Sequence, residues 1–222
     1  MCAGWCGIIG IDCRTELAGF RIQNYFMADQ KTIAVYDSQV DNYVETINKA
    51  PVDEMLLDFI SQFKPDDLIL DLGCGPAMSS AAMREHGLRT DPVDASIEMV
   101  RLANETYNIG ARQAYFEEIA SRQIYNGIWA NFSLLHATRE ELPNILNRLH
   151  QSLKPNGIFQ LRMKTGEGSQ RDKFDRYYSY YSEEELCGLL SEAGFSVKQT
   201  ETGEALGLAG DMEPWIALKS FA

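Results

Sequence analysis

Residues 68–77 read Leu68-Ile69-Leu70-Asp71-Leu72-Gly73-Cys74-Gly75-Pro76-Ala77. The first five form a short, mostly apolar run behind the breaker Pro65-Asp66-Asp67, which predicts a buried strand. Gly73 and Gly75 then predict a tight turn, and Ala77 to about His86, rich in Ala, Met and Ser, predicts a helix. Upstream, Met55, Leu56, Phe59, Ile60 and Phe63 recur at helical spacing. The decapeptide is therefore the middle of a helix, strand, turn, helix succession.

The same rhythm runs outward from it. Extended stretches are expected at Arg89 to Val93, Ala111 to Phe116, Gly127 to Phe132 and Ile158 to Met163, with two late strands near Ser196 to Thr200 and Trp215 to Lys219. Between them, helices are expected from Ser96 to Tyr107, through Leu142, Ile145, Leu146, Leu149 and Leu153, and through Leu186, Leu189, Leu190 and Ala193. Ser96 is a cap for the first of these, and Thr138 with Glu141 and Ser182 with Glu185 have capping-box spacing for the other two. Lys154 to Gly157 reads as a turn. Strands alternating with helices predict parallel pairing through right-handed crossovers, hence an α/β doubly wound sheet with helices on both faces.

Composition narrows the function. The chain has 222 residues with 20 Lys+Arg against 32 Asp+Glu, a formal charge of −12. Such an acidic field repels nucleic acid and anionic membranes, so the expected partner is a small molecule, neutral or cationic. No apolar run reaches the roughly 18 residues of a membrane span. Five cysteines, three of them at positions 2, 6 and 13, suggest thiols of a reducing cytoplasm and not a disulfide framework. Nothing completes a tetrahedral set around the Cys2 and Cys6 pair, so no metal is expected. Residues 1–26 show neither helical nor alternating period and read as a leader or extension outside a single domain of residues 27–222. Oligomeric state is open.

In a doubly wound sheet, ligands sit beyond the carboxyl ends of the strands. Asp71 is a carboxylate inside an apolar strand, to be satisfied either by amides of the turn or by a ligand ammonium group. The third glycine of a dinucleotide fingerprint is absent, Met78 standing in its place, which disfavours a pyrophosphate and a nicotinamide oxidoreductase. Asp94, ending the second strand about 20 residues later, suits the two hydroxyls of a ribose.

The succession LDLGCGPA, VDAS, Phe116-Glu117-Glu118, YNGIWANFSLLH and LKPNGIFQLRMKTGEG resembles the class I S-adenosylmethionine-dependent methyltransferase family over most of residues 36 to 219. The tail RDKFDRYYSYYSEEEL resembles small-molecule methyltransferase-like proteins of bacterial type, some labelled tellurite-resistance related. The resemblance implies a Rossmann-like seven-stranded sheet, mostly parallel, with an antiparallel last strand inserted between the fifth and sixth. It implies S-adenosylmethionine as cofactor and direct in-line methyl transfer to a small acceptor, a non-catalytic binder of the same ligand being the alternative. Asp71, Gly73 and Gly75 would hold its methionine end, Asp94 its ribose, and Ala95, Met99, Phe116 and Glu117 its adenine, although the family more often has Asp followed by Leu or Ile at the Phe116-Glu117 position. Asn131 and Phe132 would lie beneath the sulfonium, with His136 facing the acceptor as a candidate base. Trp129 reads as core.

Two regions complete the expected pocket. Tyr36 and Tyr43, before the first strand, are placed to lay aromatic faces against a sulfonium, with Tyr43 next to the chemistry. Arg162, Lys164, Arg171, Tyr177 and Tyr178 follow the fifth strand around Gly166 and Gly168, which suggests a mobile flap with a basic patch and an acceptor bearing an anionic group.

Overall fold

A computed structural model describes residues 28–40, 44, 53–120 and 122–222. Tyr43 and the stretch 1–26 lie outside the described residues. Helix α1 (Gln30–Ser38) is N-capped by Asp29, whose side chain accepts from Thr32 N at 2.7 Å. Helix α2 (Glu54–Ser61) is capped likewise by Asp53. Then follow β1 (Leu68–Leu72), α3 (Met78–Glu85), β2 (Arg89–Asp94), α4 (Ile97–Tyr107), β3 (Arg112–Gln113), β4 (Tyr125–Asn131) and α5 (Leu142–Ser152). The remainder is β5 (Leu153–Lys164), β6 (Ser169–Arg171), β7 (Tyr177–Ser179), α6 (Glu183–Glu192), β8 (Ser196–Leu206) and β9 (Met212–Phe221).

Seven strands form one sheet in the order β3-β2-β1-β4-β5-β9-β8. The pairs from β3 through β5 are parallel, while β9 runs antiparallel to both β5 and β8. The last strand is thus inserted between the fifth and the late strand β8, as the resemblance implies.

Strand alternation divides the core. Leu70 and Leu72 of β1, with Ile128 and Ala130 of β4, join the apolar faces of α5 and α6 on one side. Ile69 and Trp129 point the other way, to α2 and α3. Trp129 packs against Phe59 in a tilted pair with ring centroids 5.2 Å apart, a core residue as expected.

Several boundaries differ from expectation, each for a local reason. The reciprocal bonds of Thr138 and Glu141 are present, yet α5 begins only at Leu142. Pro143 has no amide proton and is tolerated only in a first turn, so the helix starts beside it. The turn expected at Lys154 to Gly157 is absorbed into β5 as an irregularity, with Asn156 at φ 63°. The late strands extend into a long hairpin, β8 and β9, and β3 contracts to two residues. His86 is exposed, but His150 is half-buried edge-on to Phe195. In the segment expected as a flap, β6 and β7 pair as an antiparallel hairpin. Among the described residues, no helix is long and apolar enough to cross a membrane.

Candidate active site

The turn after β1 is tied to β2 by its backbone. Gly73 N and Cys74 N both donate to Val93 O, at 2.8 and 2.9 Å. Gly75 N donates to Asp94 Oδ2 and Ser96 N to Asp94 Oδ1, each at 2.8 Å. Gly73 has φ 73°, and a Cβ built there would lie 2.3 Å from Ser133 Cβ. Glycine is therefore required twice over, by the left-handed backbone and by the close approach of the chain after β4. Ser96 caps α4 as anticipated and also donates to Asp37 Oδ1 at 2.5 Å, which pins α1 against that helix.

Between these parts opens a cleft with about 910 Å³ of empty space, its mouth included. Of the expected cofactor residues, Gly73, Gly75, Asp94, Ala95, Met99, Phe116, Glu117, Asn131 and Phe132 all line it. Asp71 does not. Strand parity sends its side chain to the α3 side, where it is 2% exposed and accepts from Ser80 Oγ at 2.7 Å. Burial raises its carboxyl to about 7, outweighing the Ser80 bond, and the Asp94 charge adds to the rise. A helix hydroxyl, and not an amide of the turn, satisfies this acid, while the turn's Gly75 amide serves Asp94. Asp94 is likewise raised by burial, against the bonds from Ser96 and Gly75.

The cleft floor carries two polar atoms. Asn131 Oδ1 and Ser133 Oγ are buried without a hydrogen-bond partner, and both residues line the cavity. Between them, Phe132 adopts φ 54°, uncommon for a residue with a Cβ, while its amide donates to Arg162 O at 3.0 Å. Such local strain recurs at functional sites.

Across the cleft stand Tyr36 and His136, 100 residues apart in sequence. His136 Nδ1 is 2.7 Å from Tyr177 O, so the ring proton sits on Nδ1 and donates to that carbonyl. Nε2 then carries the lone pair and accepts from Tyr36 Oη at 2.9 Å. Arg176, itself held by Asp172, donates to Tyr36 Oη at 3.2 Å. Burial lowers His136 to about 4, overriding the Tyr177 bond, with Arg176 and Lys164 adding to the effect. Burial raises the Tyr36 phenol, opposed by Arg176. The result is a neutral imidazole aimed at a neutral phenol, both on the cleft wall.

The expected basic wall is not assembled. Arg162, Lys164, Arg171, Tyr177 and Tyr178 fall outside the cleft lining, and each cation has an acidic partner. Arg162 is paired with Asp53, Lys164 with Glu213 and Arg171 with Asp29. Tyr178 is buried against Lys164, whose Nζ is 3.9 Å from the ring centroid, and Tyr177 N donates to Thr32 Oγ1. The hairpin is thereby a clasp for α1. Sequence reasoning missed Thr32 and Ile33, whose spacing to Tyr36 places all three near one helical face. Ser133, which with Asn131, Phe132 and His136 was expected beneath the sulfonium, lines the cleft, whereas Glu141 was read only as a capping-box residue.

Three comparisons bear on this arrangement. A family model described as a methyltransferase domain matches residues 43–200. An uncharacterized methyltransferase of Staphylococcus carnosus is 25% identical over 159 residues, 71% of this chain and 75% of that protein. Among solved structures, the 1,6-didemethyltoxoflavin N1-methyltransferase of Burkholderia thailandensis, with S-adenosylhomocysteine bound, superposes with TM-score 0.69 at 19% identity, covering 86% of this chain and 87% of that one. A methyltransferase from Methanosarcina mazei gives TM-score 0.66 at 17% identity over 73% and 95% of the two chains.

Proposed function

The chain belongs to the class I S-adenosylmethionine-dependent methyltransferases, and from that premise we propose that it methylates a small molecule held between Tyr36, His136 and Phe132. The observation that carries this reading is Asp94, a carboxylate on the cleft wall oriented by the Gly75 and Ser96 amides. With those two bonds fixing its direction, Asp94 accepts the two hydroxyls of a ribose. Asn131 Oδ1 and Ser133 Oγ, buried and unsatisfied, are acceptors suited to the ammonium of the methionine end. Met99 and Phe116 offer apolar faces to adenine, with Ala95 between them and the ribose. Glu117, raised by burial, is an acceptor for an exocyclic amine. Asp71 acts from behind the turn, as a positioning residue for α3.

When bound, S-adenosylmethionine supplies an activated methyl group open to in-line displacement, so no covalent nucleophile is needed. The chain's own residues align the acceptor and exclude water. Tyr36 presents its hydroxyl to the acceptor, and His136 Nε2 is the lone pair that receives the Tyr36 proton when the phenol takes one from the acceptor. Replacing Asp94 with Ala removes both ribose bonds, and calorimetry with S-adenosylhomocysteine should show affinity reduced by roughly tenfold or more. Unchanged affinity would sink the ribose assignment. The Burkholderia neighbour is named as the N1-methyltransferase of 1,6-didemethyltoxoflavin and has that compound bound, which is in keeping with a small acceptor here.

A further inference from the structure

The charges around the cleft argue for one class of acceptor and against another. Among the described residues, its lining includes four acids, Asp29, Asp94, Glu117 and Glu141, and neither lysine nor arginine. Asp94, Asp29 and Glu141 are held in place by hydrogen bonds. Asp29 caps α1 and pairs with Arg171, whose bond, together with that of Thr32 and against burial, lowers it to about 2. Glu141 accepts from Thr138 N and Oγ1.

Two cations stand behind the lining, Arg162 against Phe132 and Arg176 against Tyr36, and each is already engaged. Arg162 is only 13% exposed and is matched to Asp53, and Arg176 is 2% exposed and matched to Asp172. Turning either toward a ligand would break its ion pair with a half-buried acid. The rest of the acceptor side, Ile33, Phe132 and Ile145 with Tyr36, is apolar or aromatic.

We propose that the acceptor is a small uncharged or cationic molecule with an apolar or aromatic body, and that the site rejects the same molecule once it bears a carboxylate or phosphate. This rests on the methyltransferase reading; it keeps the neutral or cationic partner expected from the overall charge and sets aside the anionic acceptor suggested by the basic run after β5. An anion entering the cleft would lose its water, find neither lysine nor arginine in the lining and face Asp29 and Glu141, the acids that the cofactor leaves free. Specificity here comes from exclusion.

The test uses matched pairs on the full chain loaded with S-adenosylhomocysteine: tyramine against tyrosine, histamine against histidine, and 3-phenylpropanol against 3-phenylpropionate. Saturation-transfer NMR reads binding, and mass spectrometry with trideuteromethyl S-adenosylmethionine reads transfer. The uncharged or cationic member should bind in at least one pair, roughly tenfold or more tighter than its anionic partner. Equal or preferred binding of the anionic members overturns the proposal, as does failure of every uncharged and cationic member. Calorimetry with S-adenosylhomocysteine on the same preparation separates the two claims. No binding there fails the methyltransferase reading, and the proposal falls with it. Ile33→Lys adds a cation at a half-buried lining position, and in a variant that melts like the parent it should narrow the gap between partners at least about threefold. An unchanged gap would mean that charge does not set the choice.

Discussion

Asp71 and His136 are both buried ionisable residues, and burial makes both neutral, by opposite routes. The Asp71 carboxyl stands at about 7, so between about pH 4 and pH 7 the native chain keeps a proton that the unfolded chain has released. Its stabilising contribution is fully present below about pH 4 and is lost as pH rises through about 7. Asp71→Asn abolishes that titration. The melting temperature of the variant relative to wild type should therefore rise from pH 5 to pH 8, about 2–4 °C for each kcal/mol in a chain of this size. A difference that does not change with pH would contradict a proton on Asp71. His136 titrates near 4, which for a base has the reverse effect: its contribution is present above about pH 6.5 and fades as pH falls through 4. Nitrogen-15 spectra of the imidazole should show Nδ1 protonated, Nε2 bare, and no midpoint until about pH 4. A midpoint near 6.5 would mean that the ring is open to water.

At the scale of elements, the turn after β1 is the most constrained piece. Gly73→Ala places a methyl against Ser133 Cβ in a left-handed backbone, and the melt should fall by about 1–3 kcal/mol with loss of S-adenosylhomocysteine binding. Ser133→Gly in the same chain removes the collision but not the dihedral strain, so partial recovery is expected. No recovery would place the defect elsewhere. This turn was legible in the sequence because its chemistry is local: the strand, the glycines and the caps at Ser96 and Ser182 each lie within a few residues of what they satisfy. The cations after β5 were not legible in the same way. Arg171 meets Asp29 from 142 residues away and Arg162 meets Asp53 from 109, and no spacing rule reports such partners. Read without them, paired residues resemble a free basic patch. The β6 and β7 hairpin was obscured similarly, since Gly166 and Gly168 mark a bend but not what pairs beyond it.

For the whole molecule, the decisive feature is the place of β9. It is the sole link between β8 and the rest of the sheet, antiparallel to each neighbour. Deleting residues 212–222 therefore strips an interior strand, leaving β5 with an open edge and β8 unpaired. Circular dichroism should show broad loss of cooperative unfolding. A truncated chain that still melts in one sharp step would argue that β1 to β5 form an independent unit. The alternation of types that predicted a doubly wound sheet carried no such information about edges, and the antiparallel insertion came from the resemblance to a known family.

The tie between His136 Nδ1 and Tyr177 O has a bearing on inheritance. Because the acceptor is main chain, exchanging the side chain at position 177 leaves the imidazole tautomer untouched, so drift there is silent for the ring. An insertion or deletion between Gly168 and Tyr177 is a different matter, since it shifts the carbonyl itself. Lineages descended from this chain should tolerate variety at 177 while keeping the hairpin's length.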